Sequence, residues 1–207
     1  MSGPSSAASM SAASSRLPAP ASASLYDLLD QAFITHADAI AFEVPTSDGA
    51  ETVTYAQLRG QVAQMANALQ SAGVKPGDRV MAQVDKSIEN VVLYLATLGV
   101  GAVYNPLNTA YTVAELSYFL GDAEPALVVV NDKTAGALAS GALDAAAPRV
   151  ETLNANGQGS LRALREAASD DFASVPRESD DLAALLYTSG TTGRSKGAMI
   201  THDNLAS

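Results

Sequence analysis

LLYTSGTTGRSKG, residues 185–197, is a short apolar run that passes abruptly into a loop of glycines, hydroxyl side chains and cations. Glycines have no side chain, so the backbone N–H groups of such a loop can approach an anion closely. They stand at Gly190, Gly193 and Gly197. Hydroxyl groups, which donate hydrogen bonds to phosphate oxygens, stand at Thr188, Ser189, Thr191 and Thr192. Lys196 adds a mobile positive charge. The stretch predicts a phosphate-binding loop, although its composition alone also fits a flexible polar turn without a ligand.

The chain before this loop alternates strand and helix patterns. LAALLY, residues 182–187, fits either a helix or a strand, and a strand is favoured because the glycine loop begins abruptly after it. A continuous apolar run at 125–130 is typical of a strand buried on both faces of a parallel sheet. Further strands are predicted near 79–84, 102–106 and 150–153, and helices near 87–98, 133–146 and 160–168. The pattern predicts an α/β fold with mostly parallel sheets flanked by helices.

Local signals place several helix starts and one hairpin. Ser24 is a candidate N-cap for the first helix. The stretches 39–44 and 52–55 are predicted to be the two strands of a hairpin. Capping boxes, in which the first and fourth residues cap each other's backbone, are predicted for Thr54 with Gln57 and for Thr112 with Glu115.

Other polar and aromatic side chains fit structural roles better than ligand contact. Thr201 with Asn204 is typical of a helix start, so His202 and Asn204 are interpreted as capping and packing residues. His36 is expected at an exposed helix end. Core or interface positions are expected for Tyr104, Tyr111 and Tyr118. The segment Asp85-Lys86-Ser87 stands at a strand end, where a ligand could bind, but a helix start explains it equally well.

Charge and composition exclude several classes of function. Twelve Lys and Arg against 22 Asp and Glu give a net charge of −10, which disfavours nucleic acid and anionic membranes as partners. The absence of Cys excludes disulfides, and two His are too few for a typical zinc site. The longest apolar run, 91–104, is shorter than the ~20 residues that a membrane span requires. An anionic substrate would therefore need a local basic or dipolar site.

The glycine loop differs from two common nucleotide-binding motifs. A Walker A loop ends in Gly-Lys-Ser/Thr, whereas Gly197 follows Lys196 here, and the dinucleotide fingerprint needs a G-x-G that the loop lacks. YTSGTTGRSKG instead resembles the phosphate-loop motif of the adenylate-forming superfamily, which comprises acyl-CoA synthetases, luciferases and peptide-synthetase adenylation domains. The sequence departs from that motif at Ser195, where the family usually has proline.

The resemblance covers nearly all of the chain after about residue 24. TYAQL, GVKPGDRVMAQ and THDNLAS occur in the family's order, and residues 94–112 are most similar to malonyl-CoA synthetases. The resemblance implies an acid–thiol ligase that uses ATP, magnesium and coenzyme A to activate a small carboxylic acid, with malonate as the expected acid. It implies that Thr188 also helps to place the magnesium ion. The residues implied to clamp the ATP phosphates are Thr188, Ser189, Gly190, Thr191, Thr192, Gly193 and Lys196.

The resemblance also sets the expected domain boundaries. Residues 1–24, rich in Ser, Ala and Pro, are expected to be a disordered tail. Residues 25–207 are expected to be the N-terminal part of an AMP-binding synthetase domain that is truncated after the phosphate loop. The family's catalytic lysine, magnesium-binding glutamate and ribose-binding aspartate are then expected beyond Ser207. No residue of this chain is assigned a catalytic role, and the chain alone is expected to be inactive.

Two other functions remain open from the sequence. One is a short relative that binds nucleotide or a partner protein without catalysis. The other is a synthetase for a fatty acid instead of malonate. The expected location is the cytoplasm, with an organelle matrix as the alternative that the N-terminal tail allows.

Overall fold

The computed structural model of the chain describes residues 24–46, 49–142, 148–188 and 195–207. The first half comprises α1 (Leu25–Thr35), β1 (Ile40–Thr46), β2 (Gly49–Thr54), α2 (Tyr55–Ser71), β3 (Arg79–Gln83), α3 (Ile88–Gly99) and β4 (Val103–Pro106). The second half comprises α4 (Val113–Ala123), β5 (Leu127–Val130), α5 (Asp132–Ala137), a π-helical turn (Leu138–Ala142), β6 (Arg149–Thr152), α6 (Ser160–Glu166), β7 (Leu182–Thr188), β8 (Lys196–Thr201) and α7 (His202–Ala206).

Six of these strands form one sheet in the order β6-β5-β3-β4-β7-β8. All neighbours in it are parallel except β7 and β8, which pair antiparallel. The predicted α/β fold with a mostly parallel sheet is therefore confirmed. The remaining two strands, β1 and β2, form the predicted antiparallel hairpin.

Helices cover both faces of the six-stranded sheet. One face packs against α2, α3 and their neighbours, and includes Leu127 and Val129 of β5. The other face packs against α4 and the π-helical turn, and includes Val128 and Val130 of the same strand. All four side chains are fully buried, as expected for a central strand with apolar packing on each side.

The helix starts follow the capping signals of the sequence. Ser24 caps α1 by accepting a hydrogen bond from the Tyr26 backbone N–H at 3.2 Å. Both predicted capping boxes, at Thr54 and Thr112, form with both of their hydrogen bonds. None of the described helices is long and apolar enough to cross a bilayer.

The structure corrects two features of the predicted pattern. The helix expected at 133–146 ends as an α-helix at Ala137 and is followed by the π-helical turn Leu138–Ala142. The rest of the prediction, residues 143–146, lies outside the described residues. Gly136 weakens helix propensity there, and Leu138 is the first buried residue of the segment. Strand β8 was not predicted. Its side chains are mostly exposed, so it lacks the apolar alternation that reveals a strand in sequence.

Candidate functional site

The glycine loop joins the two strands of an antiparallel hairpin at one side of the main sheet. Thr188 ends β7 and Lys196 begins β8, and the two residues are the last pair of the ladder. Thr188 Oγ1 donates a 3.5 Å hydrogen bond to the Lys196 carbonyl oxygen, and both residues are exposed. The structure thus brings together two of the seven predicted phosphate-binding residues. The other five lie outside the described residues: Ser189, Gly190, Thr191, Thr192 and Gly193.

The loop lies at the carboxyl end of β7, which runs parallel to β4. In open α/β sheets, ligands bind beyond the carboxyl ends of the parallel strands. The hairpin therefore presents a hydroxyl group and an exposed lysine at the edge of the sheet where this architecture places ligands. In a chain with a net charge of −10, such a lysine supplies the local positive charge that a polyanion needs.

Helix α4 contacts both ends of the loop. The Tyr187 hydroxyl donates to Asp122 Oδ2 at 2.5 Å, and the Tyr187 ring lies 4.5 Å from the Phe119 ring. The Tyr118 hydroxyl donates to the Ser195 carbonyl oxygen at 3.1 Å. Burial and the Asp122 carboxylate raise the pKa of Tyr187. The sequence reasoning missed these contacts and expected Tyr118 to be a core or interface residue.

A buried amide ties β7 to the centre of the sheet. Asn105 of β4 is fully buried, and its Nδ2 donates a 2.7 Å hydrogen bond to the Leu185 carbonyl oxygen. Its Oδ1 has no hydrogen-bond partner among the described residues. An asparagine inside a short apolar strand is a signal in the sequence that could have singled it out, because buried polar side chains need partners.

An open cleft also lies along the carboxyl edge of the sheet, where the candidate site lies. A cleft of about 560 Å³ is bounded by the loops that follow β3, β4 and β6. Asp85 and Lys86 are exposed and line it, together with Asn108 and Thr109 of the β4 loop. Ser87 caps α3 by accepting the Asn90 N–H at 3.2 Å. Both interpretations of this segment are therefore compatible with its position, because the helix start and the open strand end coexist.

His202 and Asn204, near the C-terminal end, have structural roles. His202 is fully buried, and its Nδ1 accepts the Leu25 backbone N–H at 3.2 Å. Burial, with Arg177 nearby, lowers the pKa of His202. Asn204 completes a capping box with Thr201. Capping and packing, as predicted, account for both.

The remaining predicted structural residues behave largely as expected. His36 is exposed and caps the end of α1. Tyr104 is buried, its hydroxyl donates to Asn90 Oδ1 at 2.6 Å, and burial raises its pKa. Tyr111 packs against Phe119 with ring centroids 4.9 Å apart.

Comparison with known proteins assigns the chain to a family. The model of the family described as "AMP-binding enzyme" matches residues 29–207. The chain therefore belongs to the AMP-binding enzyme family, as its resemblance to the adenylate-forming superfamily predicted.

Several known proteins are similar to this chain over most of its length. Feruloyl-CoA synthase of Amycolatopsis sp. is 41% identical over 164 residues, which are 76% of this chain and 30% of that protein. The crystal structure of apo MatB from Rhodopseudomonas palustris is 46% identical with a TM-score of 0.80, and covers 89% of this chain and 36% of its own. The inhibitor-bound N-terminal domain of FACL13 from Mycobacterium tuberculosis is 28% identical with a TM-score of 0.78, covering 88% of this chain and 45% of its own. The chain thus spans about a third of the length of curated relatives such as feruloyl-CoA synthase, and only 2% of the much longer tyrocidine synthase 3 of Brevibacillus parabrevis.

Proposed function

We propose that this chain provides the ATP-phosphate-binding part of an acid–CoA ligase. The observation that carries the proposal is the pairing of Thr188 with Lys196 at the carboxyl edge of the sheet. That hairpin lies within the segment that matches the AMP-binding family. A solved structure of MatB with ATP bound shares 46% identity with this chain, which supports ATP as the nucleotide.

The proposed reaction has two steps, and the first one presents an electrostatic problem. A carboxylate attacks the α-phosphorus of ATP, and the bond to pyrophosphate breaks to leave an acyl-AMP. The sulfur of coenzyme A then attacks the acyl carbon, and AMP leaves. The first step brings an anion to a polyanion, so donors and cations must offset the repulsion and stabilise the charge that develops on pyrophosphate.

The residues of the loop suit this task. Lys196 supplies a full positive charge, and the Thr188 hydroxyl supplies a donor at the start of the loop. We propose that five further residues bind the ATP phosphates together with Thr188 and Lys196: Ser189, Gly190, Thr191, Thr192 and Gly193. No nucleophilic side chain is needed, because the chemistry is positional and electrostatic.

Magnesium fits the donor chemistry of this site as a partner of the phosphates. Magnesium is usually held by one or two protein ligands, with substrate phosphates and water completing its octahedral coordination. The described residues contain no group of three or more His, Cys, Asp or Glu that could hold a metal ion by itself. The Thr188 hydroxyl oxygen would be the ligand from this chain, and the ion would neutralise phosphate charge.

We propose malonate as the carboxylic acid. Residues 94–112 resemble malonyl-CoA synthetases, and identity to MatB reaches 46%, against 26% to a fatty acyl CoA synthetase of Mycobacterium tuberculosis. The 41% identity to feruloyl-CoA synthase supports an aromatic acid as the competing choice.

Substrate-dependent release of pyrophosphate tests this proposal. The native protein that carries this sequence would be supplied with Mg·ATP, coenzyme A and one acid at a time: malonate, ferulate or a long-chain fatty acid. We expect malonate to give the fastest release. Faster pyrophosphate release with ferulate or the fatty acid would show that malonate is not the preferred substrate, while the assignment as an acid–CoA ligase would stand. Nucleotide binding without release from any acid would favour a non-catalytic nucleotide-binding protein.

A further inference from the structure

Helix α4 holds both ends of the glycine loop through side chains that lie outside the loop. Tyr187 is the residue before Thr188, the last residue of β7, and its hydroxyl donates a hydrogen bond to Asp122 of α4. Ser195 directly precedes Lys196, and its carbonyl oxygen accepts from Tyr118. The two contacts connect residues 65 and 77 positions apart in sequence.

The helix that makes these contacts is firmly anchored. Its capping box joins Thr112 and Glu115 through hydrogen bonds in both directions. Its inner face buries Leu116 and Phe119 against the sheet. The hairpin is less well supported, because β8 is the edge strand of the sheet and pairs with β7 alone in the described part of the chain.

The hydroxyl groups of Tyr118 and Tyr187 make hydrogen bonds that ring packing alone does not require. Tyr111, Tyr118 and Tyr187 all place their rings against Phe119, at centroid distances of 4.9, 5.3 and 4.5 Å. Phenylalanine would provide the same ring contacts. The Tyr118 hydroxyl reaches from α4 to the Ser195 carbonyl oxygen, although the Tyr118 side chain is 36% exposed. The Tyr187 hydroxyl makes the opposite connection, from the end of β7 to Asp122 of α4.

We propose that Tyr118, Asp122 and Tyr187 are positioning residues that fix the two ends of the phosphate loop against α4. Through the loop ends they set the position of Thr188 and Lys196, which would contact the ATP phosphates. The inference rests on the proposed function. A loop whose ends are held in place loses less conformational entropy when it binds a ligand, so its affinity for the ligand is higher.

Conservative variants separate positioning from packing. Tyr187→Phe and Tyr118→Phe each remove one hydroxyl and keep the ring, and Asp122→Asn removes the carboxylate that accepts from Tyr187. Tyr111→Phe is the matched control, since its ring packs on the same Phe119 and its hydroxyl makes no hydrogen bond to any of the described residues.

The first readout is the Kd of Mg·ATP, measured by titration calorimetry on the native protein that carries this sequence, with urea unfolding run in parallel. Loss of a hydrogen bond that orders the loop should weaken binding about three- to tenfold in the three variants, and the control should stay within about twofold. The double variant Tyr187→Phe/Asp122→Asn should weaken binding no more than the stronger single variant, because the two groups share one contact. A Kd that stays at the wild-type value in both Tyr118→Phe and Tyr187→Phe would overturn the inference.

The second readout does not depend on nucleotide. Trypsin is specific for peptide bonds after Arg and Lys, and the sequence places Arg194 inside the loop. Mass spectrometry would measure the rate of cleavage after Arg194. The positioning variants should be cut faster than Tyr111→Phe at equal global stability, and equal rates would count against the inference. If the wild-type native protein does not bind Mg·ATP, the proposed function fails, and the cleavage rates alone then decide whether α4 holds the loop ends.

Discussion

Replacing Glu89 by glutamine should destabilise the fold, because the buried Arg165 guanidinium loses its buried counter-charge and keeps only the exposed carboxylate of Glu166, at 3.8 Å. Glu89 lies in the first turn of α3, and its two carboxylate oxygens accept hydrogen bonds from Arg165 of α6 at 3.0 and 3.1 Å. The side chains are 8% and 6% exposed. Arg165 also donates to Gln64 of α2 at 3.0 Å, so the cluster joins three helices on one face of the sheet.

The magnitude follows from this geometry. Removing one partner of a buried ion pair costs about 3–5 kcal/mol. The amide oxygen of glutamine still accepts one of the two hydrogen bonds, and Gln64 keeps its own, so we expect the lower end, about 3 kcal/mol. With a dependence on urea of about 2 kcal/mol per molar, the unfolding midpoint should fall by about 1.5 M.

Urea unfolding followed by circular dichroism measures this change. Arg59→Gln is the control: its pair with Asp30 is also short, at 2.6 Å, but the Arg59 side chain is 46% exposed, so the loss should not exceed about 1 kcal/mol. The double variant Glu89→Leu/Arg165→Met removes both charges together and should recover most of the lost stability. A Glu89→Gln variant no less stable than Arg59→Gln would refute the reasoning.

Two further perturbations have clear expected outcomes. Gly159→Ala should lower the free energy of unfolding by at least about 2 kcal/mol, because the φ of Gly159 is +152° and a Cβ there would overlap the Thr152 carbonyl. The control is Gly60→Ala in α2, where a Cβ would meet open space, and this variant should be neutral or more stable by up to about 1 kcal/mol. The lowered pKa of buried His202 means that the unfolded chain binds the proton more readily. The contribution of neutral His202 to the free energy of unfolding should therefore be fully present above about pH 6.5 and decrease as the pH falls below that value. Urea unfolding midpoints measured from pH 7.5 to 5 should show this decrease in the wild type and a smaller one in His202→Gln.

Local signals explain most of what the sequence predicted. A capping box is complete within four residues, so Thr54 and Thr112 could be identified without any knowledge of the fold. Strand β5 could be identified because burial on both faces leaves a continuous apolar run. The loop motif likewise placed Thr188 and Lys196 in the candidate site, and the structure pairs them.

The missed features depend on residues far apart in sequence. The contact of Tyr118 with Ser195 spans 77 residues, and that of Glu89 with Arg165 spans 76. No periodicity encodes such pairs, since they arise only when the sheet brings α4 to β7 and α6 to α3. Strand β8 was missed for another reason, because its stability comes from the ladder with β7 and not from burial of its own side chains.

The affinity for Mg·ATP of the native protein that carries this sequence, compared between Lys196→Ala and Lys75→Ala, tests the central claim most directly. Lys75 is an exposed lysine just before β3, at the amino end of that strand, so both variants remove the same charge from the protein. A charged hydrogen bond to phosphate predicts at least about a tenfold weaker Kd for Lys196→Ala and little change for Lys75→Ala. Equal affinities in the two variants, or no binding by the unmodified native protein, would contradict a phosphate-binding role for the loop.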